Sequence, residues 1–149
     1  MSAGLHRILE IHLNRTIYLR NTFCMKPYKI LVVEDDPNIN ELMRITLSCL
    51  TYSITCVDNG MEAFGKLTEE KPDLVVLDIL IPEPDGWEIY KAIRSNLDLN
   101  HTRVIIMTAL LFSTGFLKEK HILPTDMVMK KPFELDELKA NVKRLLDET

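Results

Sequence analysis

Residues that could do chemistry stand directly behind short apolar runs at four places in this chain. Glu34, Asp35 and Asp36 follow Ile30-Leu-Val-Val, Asp78 follows Leu74-Val-Val-Leu, Thr108 follows Val104-Ile-Ile-Met, and Lys130 and Lys131 follow Met127-Val-Met. Carboxylates that meet at one spot repel each other and need a cation or protons. An all-oxygen ligand set favours a hard cation such as Mg2+, which keeps several waters and readily takes a phosphate oxygen. A lysine ammonium and a threonine hydroxyl are groups that hold phosphoryl oxygens. The chemistry that fits the whole set is phosphoryl transfer with an aspartate as nucleophile. Taken singly, each acid reads better as a helix cap or a loop residue. The argument for chemistry rests on their meeting at one edge of a sheet.

The elements that must bring them there can be read from periodicity. From residue 29 onward, apolar strands alternate with amphipathic helices. Strands are expected at 29–33, 53–57, 74–77, 104–107 and 126–129. Helices are expected from Pro37, at 60–70, 87–96 and 134–146, with a weaker one between Ser113 and Ile122. On the first helix Ile39, Leu42, Met43, Thr46, Leu47 and Leu50 mark one face. On the last, Leu135, Leu138, Val142, Leu145 and Leu146 point inward. Lys71-Pro72 ends the second helix, and Pro82, Pro84, Asp85 and Gly86 make a loop. The continuous apolar run at 74–77 suits a strand buried on both faces. This alternation predicts an α/β fold, a doubly wound parallel sheet covered on both sides. Its functional crevice lies at the carboxyl ends of the strands, where all the polar residues named above fall.

Composition bounds the alternatives. The chain has 149 residues, 46% hydrophobic and 27% charged, enough for one domain with its own core. A net charge of −4 argues against direct nucleic-acid binding. No apolar run approaches the roughly 20 residues that span a bilayer, so membrane insertion is not expected. Cys24, Cys49 and Cys56 form no CxxC pair and read as reduced thiols in a cytoplasmic protein. His6, His12, His101 and His121 lack metal-ligand spacing. Residues 1–24 read either as the product of an upstream start codon or as a short amphipathic helix carrying Leu5, Ile8, Leu9, Leu13 and Ile17.

Five motifs then occur in order: Ile30-Leu-Val-Val-Glu-Asp-Asp-Pro, Pro72-Asp-Leu-Val-Val-Leu-Asp78, Pro82-Glu-Pro-Asp-Gly86, Val104-Ile-Ile-Met-Thr108-Ala109 and Lys131-Pro132-Phe133. In order and spacing they resemble the receiver domains of response regulators, over about residues 27–147. The resemblance implies a flavodoxin-like sheet of five parallel strands in the order 2-1-3-4-5. It implies that Asp78 is the phosphoacceptor. Asp35 would bind Mg2+ directly, Glu34 through water, and the Leu80 backbone carbonyl would be a further ligand beside Asp78. The Thr108 hydroxyl, the Ala109 N–H and the Lys131 ammonium would hold phosphoryl oxygens. Lys131-Pro132 is similar to the family's cis peptide. The implied partner is a histidine kinase or a histidine phosphotransfer protein, docking by the first helix and the loop after the fifth strand. The expected function is a phosphorylatable switch, without an output domain and without turnover of external substrates.

Some features depart from the family's pattern. Val128 stands where family members usually carry Tyr or Phe, three residues before the lysine, so the usual ring rotation has no counterpart. Leu110–Leu123 is unusually apolar, and Pro124 replaces a customary glycine. These changes also admit a pseudo-receiver that binds partners whatever its phosphorylation state. A phosphohydrolase is disfavoured, since Leu80 stands where its second catalytic Asp would be. Gly60-Met-Glu-Ala-Phe-Gly65-Lys66-Leu67 nearly matches a phosphate-cradling nucleotide loop but has Leu67 where Ser or Thr must bind Mg2+. It reads as helix, with Lys66 on a solvated face.

Overall fold

The structure is a computed structural model that describes residues 26–48, 51–109 and 119–147. Strands β1 (Lys29–Val33), β2 (Ser53–Val57), β3 (Leu74–Asp78), β4 (Arg103–Thr108) and β5 (Met127–Lys130) form one parallel sheet in the order β2-β1-β3-β4-β5. The helices described are α1 (Pro37–Ser48), α2 (Gly60–Glu70), α3 (Gly86–Ser95) and α4 (Leu135–Asp147), with a 3-10 turn at Leu97–Leu99. The expected helix between Ser113 and Ile122 lies largely outside the described residues, as do Leu50 and residues 1–24.

Alternation along each strand splits the interior into two cores. Leu31, Val33, Val75, Leu77, Val104 and Ile106 face α2 and α3 and pack on Ala63, Leu67, Ile89 and Ile93. Ile30, Val32, Leu74, Val76, Ile105 and Met107 face α1 and α4 and pack on Met43, Leu47, Leu138, Val142 and Leu146. All five residues of β3 are buried, which accounts for its unbroken apolar run.

The helix ends follow from local chemistry. Asp36 accepts the Asn38 and Ile39 N–H groups at 2.8 and 3.2 Å and starts α1, with Pro37 in its first turn. Asn59 caps α2, and Lys71 ends it in a left-handed conformation, its N–H bonded to the Leu67 carbonyl. Asp85 and Glu88 form a capping box on α3. The near-match to a nucleotide loop is therefore helix α2, and Lys66 pairs with Glu69 and Glu70 on its outer face.

Two expectations need correction. Leu42 was placed on the inner face of α1, but it is 45% exposed. The inward stripe is Met43, Thr46 and Leu47, and Leu42 sits one step round the helix at its margin. β5 begins one residue later than expected. Asp126 does not pair as a strand residue: its carboxylate takes the Val104 N–H at 3.1 Å, and its own N–H goes to the Leu123 carbonyl.

Candidate functional site

Strand register sets the stage. Val33 lies opposite Val57 and Leu77, Asp78 opposite Met107, and Thr108 opposite Lys130. The residue after β1, the last residues of β3 and β4 and the residue after β5 therefore share one edge. These are Glu34, Asp78, Thr108 and Lys131.

The Lys131 ammonium bridges two of the acids. It donates to Glu34 Oε2 at 2.7 Å and to Asp78 Oδ2 at 2.6 Å. Asp78 Oδ1 accepts the Leu80 N–H at 2.9 Å, and Glu34 Oε1 accepts the Asp36 N–H at 3.2 Å. Glu34, Asp78 and Thr108 are buried, while Asp35 and Ala109 are exposed. One carboxylate oxygen from each of Glu34, Asp35 and Asp78 lies within 4.8 Å of the other two. With Lys131 as the cation between them, the group keeps a surplus of negative charge. Its donors are all oxygen, which fits a hard divalent cation.

The electrostatics show the strain of this crowding. Burial pushes the Glu34 carboxyl above its ordinary value, and the nearby Asp78 charge adds to the rise, against the hydrogen bond from Lys131. Burial alone would lower the Lys131 ammonium, but its hydrogen bonds to Asp78 and Glu34 outweigh that and hold it above 10.5. The lysine is thus a fixed cation at neutral pH.

Backbone packing holds the edge in place. A β-carbon on residue 86 would lie 2.5 Å from the Asp78 carbonyl oxygen and from Ile79 Cα, so only glycine lets α3 start this close to Asp78. The Lys131 N–H donates to the Thr108 carbonyl at 2.7 Å, joining β4 to the residue after β5. Lys131-Pro132 is cis, as the resemblance implied, and so is Glu83-Pro84. Asn40, which sequence reasoning missed, donates from Nδ2 to the carbonyls of Glu34 and Val57, both at 2.9 Å. It ties the ends of β1 and β2 together, and no spacing signal marked it. Asp36 and Lys130 are exposed neighbours of the site. Leu110 lies outside the described residues.

The family model for the response regulator receiver domain matches residues 30–143. This chain belongs to the response-regulator receiver family. Receiver domains of this family serve two-component signalling. The receiver is 38% identical over 120 residues to the transcriptional regulatory protein CrdR of Helicobacter pylori, covering 80% of this chain and 55% of that protein. It is 34% identical over 126 residues to the response regulator MprA of a Mycobacterium species, covering 83% and 52%. The chain thus spans about half the length of the curated relatives it matches. Among solved structures it resembles the receiver domain of a signal transduction histidine kinase from Syntrophus aciditrophicus, with a TM-score of 0.72 and 32% identity over 82% of this chain and 92% of that one. The receiver domain of a sensor histidine kinase from Pseudomonas aeruginosa, solved with magnesium in its active-site cleft, shares the fold at a TM-score of 0.70 and 24% identity, covering 82% and 99%.

Away from that edge, a second polar group joins α3 to β4 and to the residues before β5. The Asp126 carboxylate accepts from the Tyr90 hydroxyl at 2.7 Å and from Arg94 at 2.9 Å, and the Tyr90 oxygen accepts the Leu123 N–H at 3.1 Å. Trp87 lies edge-on to Tyr90, with ring centroids 6.3 Å apart, and the Lys120 ammonium lies 5.0 Å from the Trp87 ring centroid. Val128 is half-buried and packs against the core under α2 and α3. Among the described residues, no helix is long and apolar enough to cross a membrane.

Proposed function

We propose that residues 27–147 act as a phosphorylatable switch in which Asp78 accepts a phosphoryl group from a histidine kinase or a histidine phosphotransfer protein. The observation that carries this reading is the Lys131 ammonium held between Glu34 and Asp78, with Asp35 beside them. Asp35, Asp78 and the Leu80 carbonyl would hold Mg2+, with Glu34 acting through water. Mg2+ bound there would neutralise the acids and the incoming phosphoryl oxygens. An Asp78 oxygen attacks phosphorus as the bond from phosphorus to the donor's imidazole nitrogen breaks, and that nitrogen takes a proton. Lys131 supplies a fixed positive charge to the phosphoryl oxygens. The Thr108 hydroxyl and the Ala109 N–H complete their surroundings. The chain's own chemistry ends with its phosphorylation and dephosphorylation. Val128 has no ring to rotate, so the signal leaves this site by another change of packing.

Acetyl phosphate with Mg2+ tests the assignment. Intact-mass analysis is expected to find one phosphoryl group on the wild type and none on Asp78→Asn, which keeps the size of the side chain and removes the nucleophile. Equal labelling of both proteins would overturn it.

A further inference from the structure

The arch between β3 and α3, residues 79–85, carries the Leu80 carbonyl. Its first limb is anchored by Ile79 and Ile81, which are buried in the core, while Leu80 between them is half exposed. Its base is closed by the Gly86 N–H, which donates to the Ile79 carbonyl at 3.2 Å. Its far limb rests on another element. A β-carbon on Gly60, the first residue of α2, would lie 2.1 Å from the Pro84 carbonyl oxygen, 2.7 Å from Pro84 Cγ and 3.1 Å from the Pro84 carbonyl carbon. The nearest obstacle is backbone, so no side-chain rotation relieves it.

We infer that Gly60 is a positioning residue: the bare N-terminus of α2 sets the height of the arch and, through it, the place of the Leu80 carbonyl. The inference rests on the reading of Leu80 as a metal ligand. α2 is the less yielding partner, because Asn59 caps it and Ala63 and Leu67 are buried in the core. A side chain at residue 60 therefore lifts Pro84, and the strain runs back along five residues to Leu80. Asp78 itself belongs to the central strand and stays where it is. Mg2+ demands near-ideal octahedral geometry at about 2.0–2.1 Å, so a small shift of one oxygen ligand is felt. The nucleophile and Lys131 are untouched. The expected consequence is weaker Mg2+ binding with the phosphorylation rate at saturating Mg2+ preserved.

Gly65 provides an internal control. It lies in the same helix, and a β-carbon there would meet nothing within 4 Å. Gly60→Ala and Gly65→Ala are compared in the full chain by Mg2+ calorimetry and by the Mg2+ dependence of labelling with acetyl phosphate. Gly60→Ala is expected to weaken Mg2+ affinity by roughly tenfold or more, the scale seen when residues that orient metal ligands are disturbed. Gly65→Ala is expected to leave it unchanged. If Gly60→Ala folds poorly, the double variant is used, since alanine at 65 favours the helix. A mutation-free measurement runs beside these. In a Mg2+ titration of the wild type followed by NMR, the Gly60 amide is expected to shift and the Gly65 amide to stay still. Unchanged Mg2+ affinity in a folded Gly60 variant, or a Gly60 amide that ignores Mg2+, overturns the inference. Wild-type labelling that is independent of Mg2+ would instead sink the reading of the metal site.

Discussion

Asp126 and Asp78 are carboxylates sunk into the same sheet, one just before β5 and the other at the end of β3. Their side chains are 0% and 5% exposed. Asp126 is met by Tyr90, Arg94 and the Val104 N–H, so the protein itself supplies its hydrogen bonds and a cation. Asp78 has the Leu80 N–H and a lysine that it shares with Glu34, with Asp35 close by. Burial raises the pKa of Asp126, as it does that of Glu34. Asp126 and Asp78 are both nearly fully buried, so the difference between them lies in their partners. Asp126 is surrounded by enough donors to satisfy it, whereas Asp78 is left in a surplus of negative charge, as its proposed role beside a divalent cation requires.

Exchanging the two acids for amides is the strongest test of that contrast. Asp126→Asn removes the counter-charge of Arg94, which is itself mostly buried, and is expected to cost about 3 kcal/mol in urea unfolding. Labelling by acetyl phosphate is expected to persist in it. If Asp126→Asn is as stable as wild type, or loses labelling, the two ends of the sheet are not divided as described.

Lys131→Met probes the other acid. Without the ammonium, Glu34 and Asp78 face each other uncompensated, and stability in the absence of Mg2+ is expected to fall by about 2 kcal/mol. Mg2+ binds only the folded cluster, so it is expected to raise the melting temperature of this variant more than that of wild type. An equal rise in both proteins would show that Lys131 and the cation do not relieve the same repulsion.

Tyr90→Phe removes one donor from Asp126 and one acceptor from the Leu123 N–H. The expected cost is about 1 kcal/mol, read from the melting transition, with labelling unaltered.

The smallest effect is in pH dependence. The folded protein keeps a proton on Glu34 that the unfolded chain gives up near its ordinary value of 4.5. The stability from this group is fully present below that pH and is lost as pH rises through the raised folded value. Glu34→Gln is expected to flatten the fall in stability over that window, as measured by urea titrations at a series of pH values. A parallel pair of curves would mean that burial does not govern Glu34.

Much of this arrangement was legible in the residue pattern, because parallel strands buried on both faces read as apolar runs and the polar residues of the proposed site sit at their ends or one step beyond them. Glu34, Asp78, Thr108 and Lys131 were found that way, and the register brings them to one edge. Asp36 shows the limit of the same rule: it stands beside two site acids, yet its carboxylate caps α1. The start of β5 was misread because a side chain, Asp126, takes a hydrogen bond that a strand would have made. Leu42 was misread because helical spacing marks a stripe but not its width. Asn40 left no local trace, and Gly60 showed only as the start of a helix that nearly matches a nucleotide loop. Each acts across the gap between elements distant in sequence, and their roles appear only when carbonyls of other segments are placed beside them.

The chain contains a single tryptophan. Any change in indole fluorescence therefore belongs to position 87. That residue follows Gly86, which rests on the Asp78 carbonyl, and its ring faces the ammonium of Lys120, seven residues before β5 begins. Moving either neighbour alters the electrostatic surroundings of the ring. The molecule carries its own optical probe, positioned to register both the start of α3 and the approach to β5 without any added label.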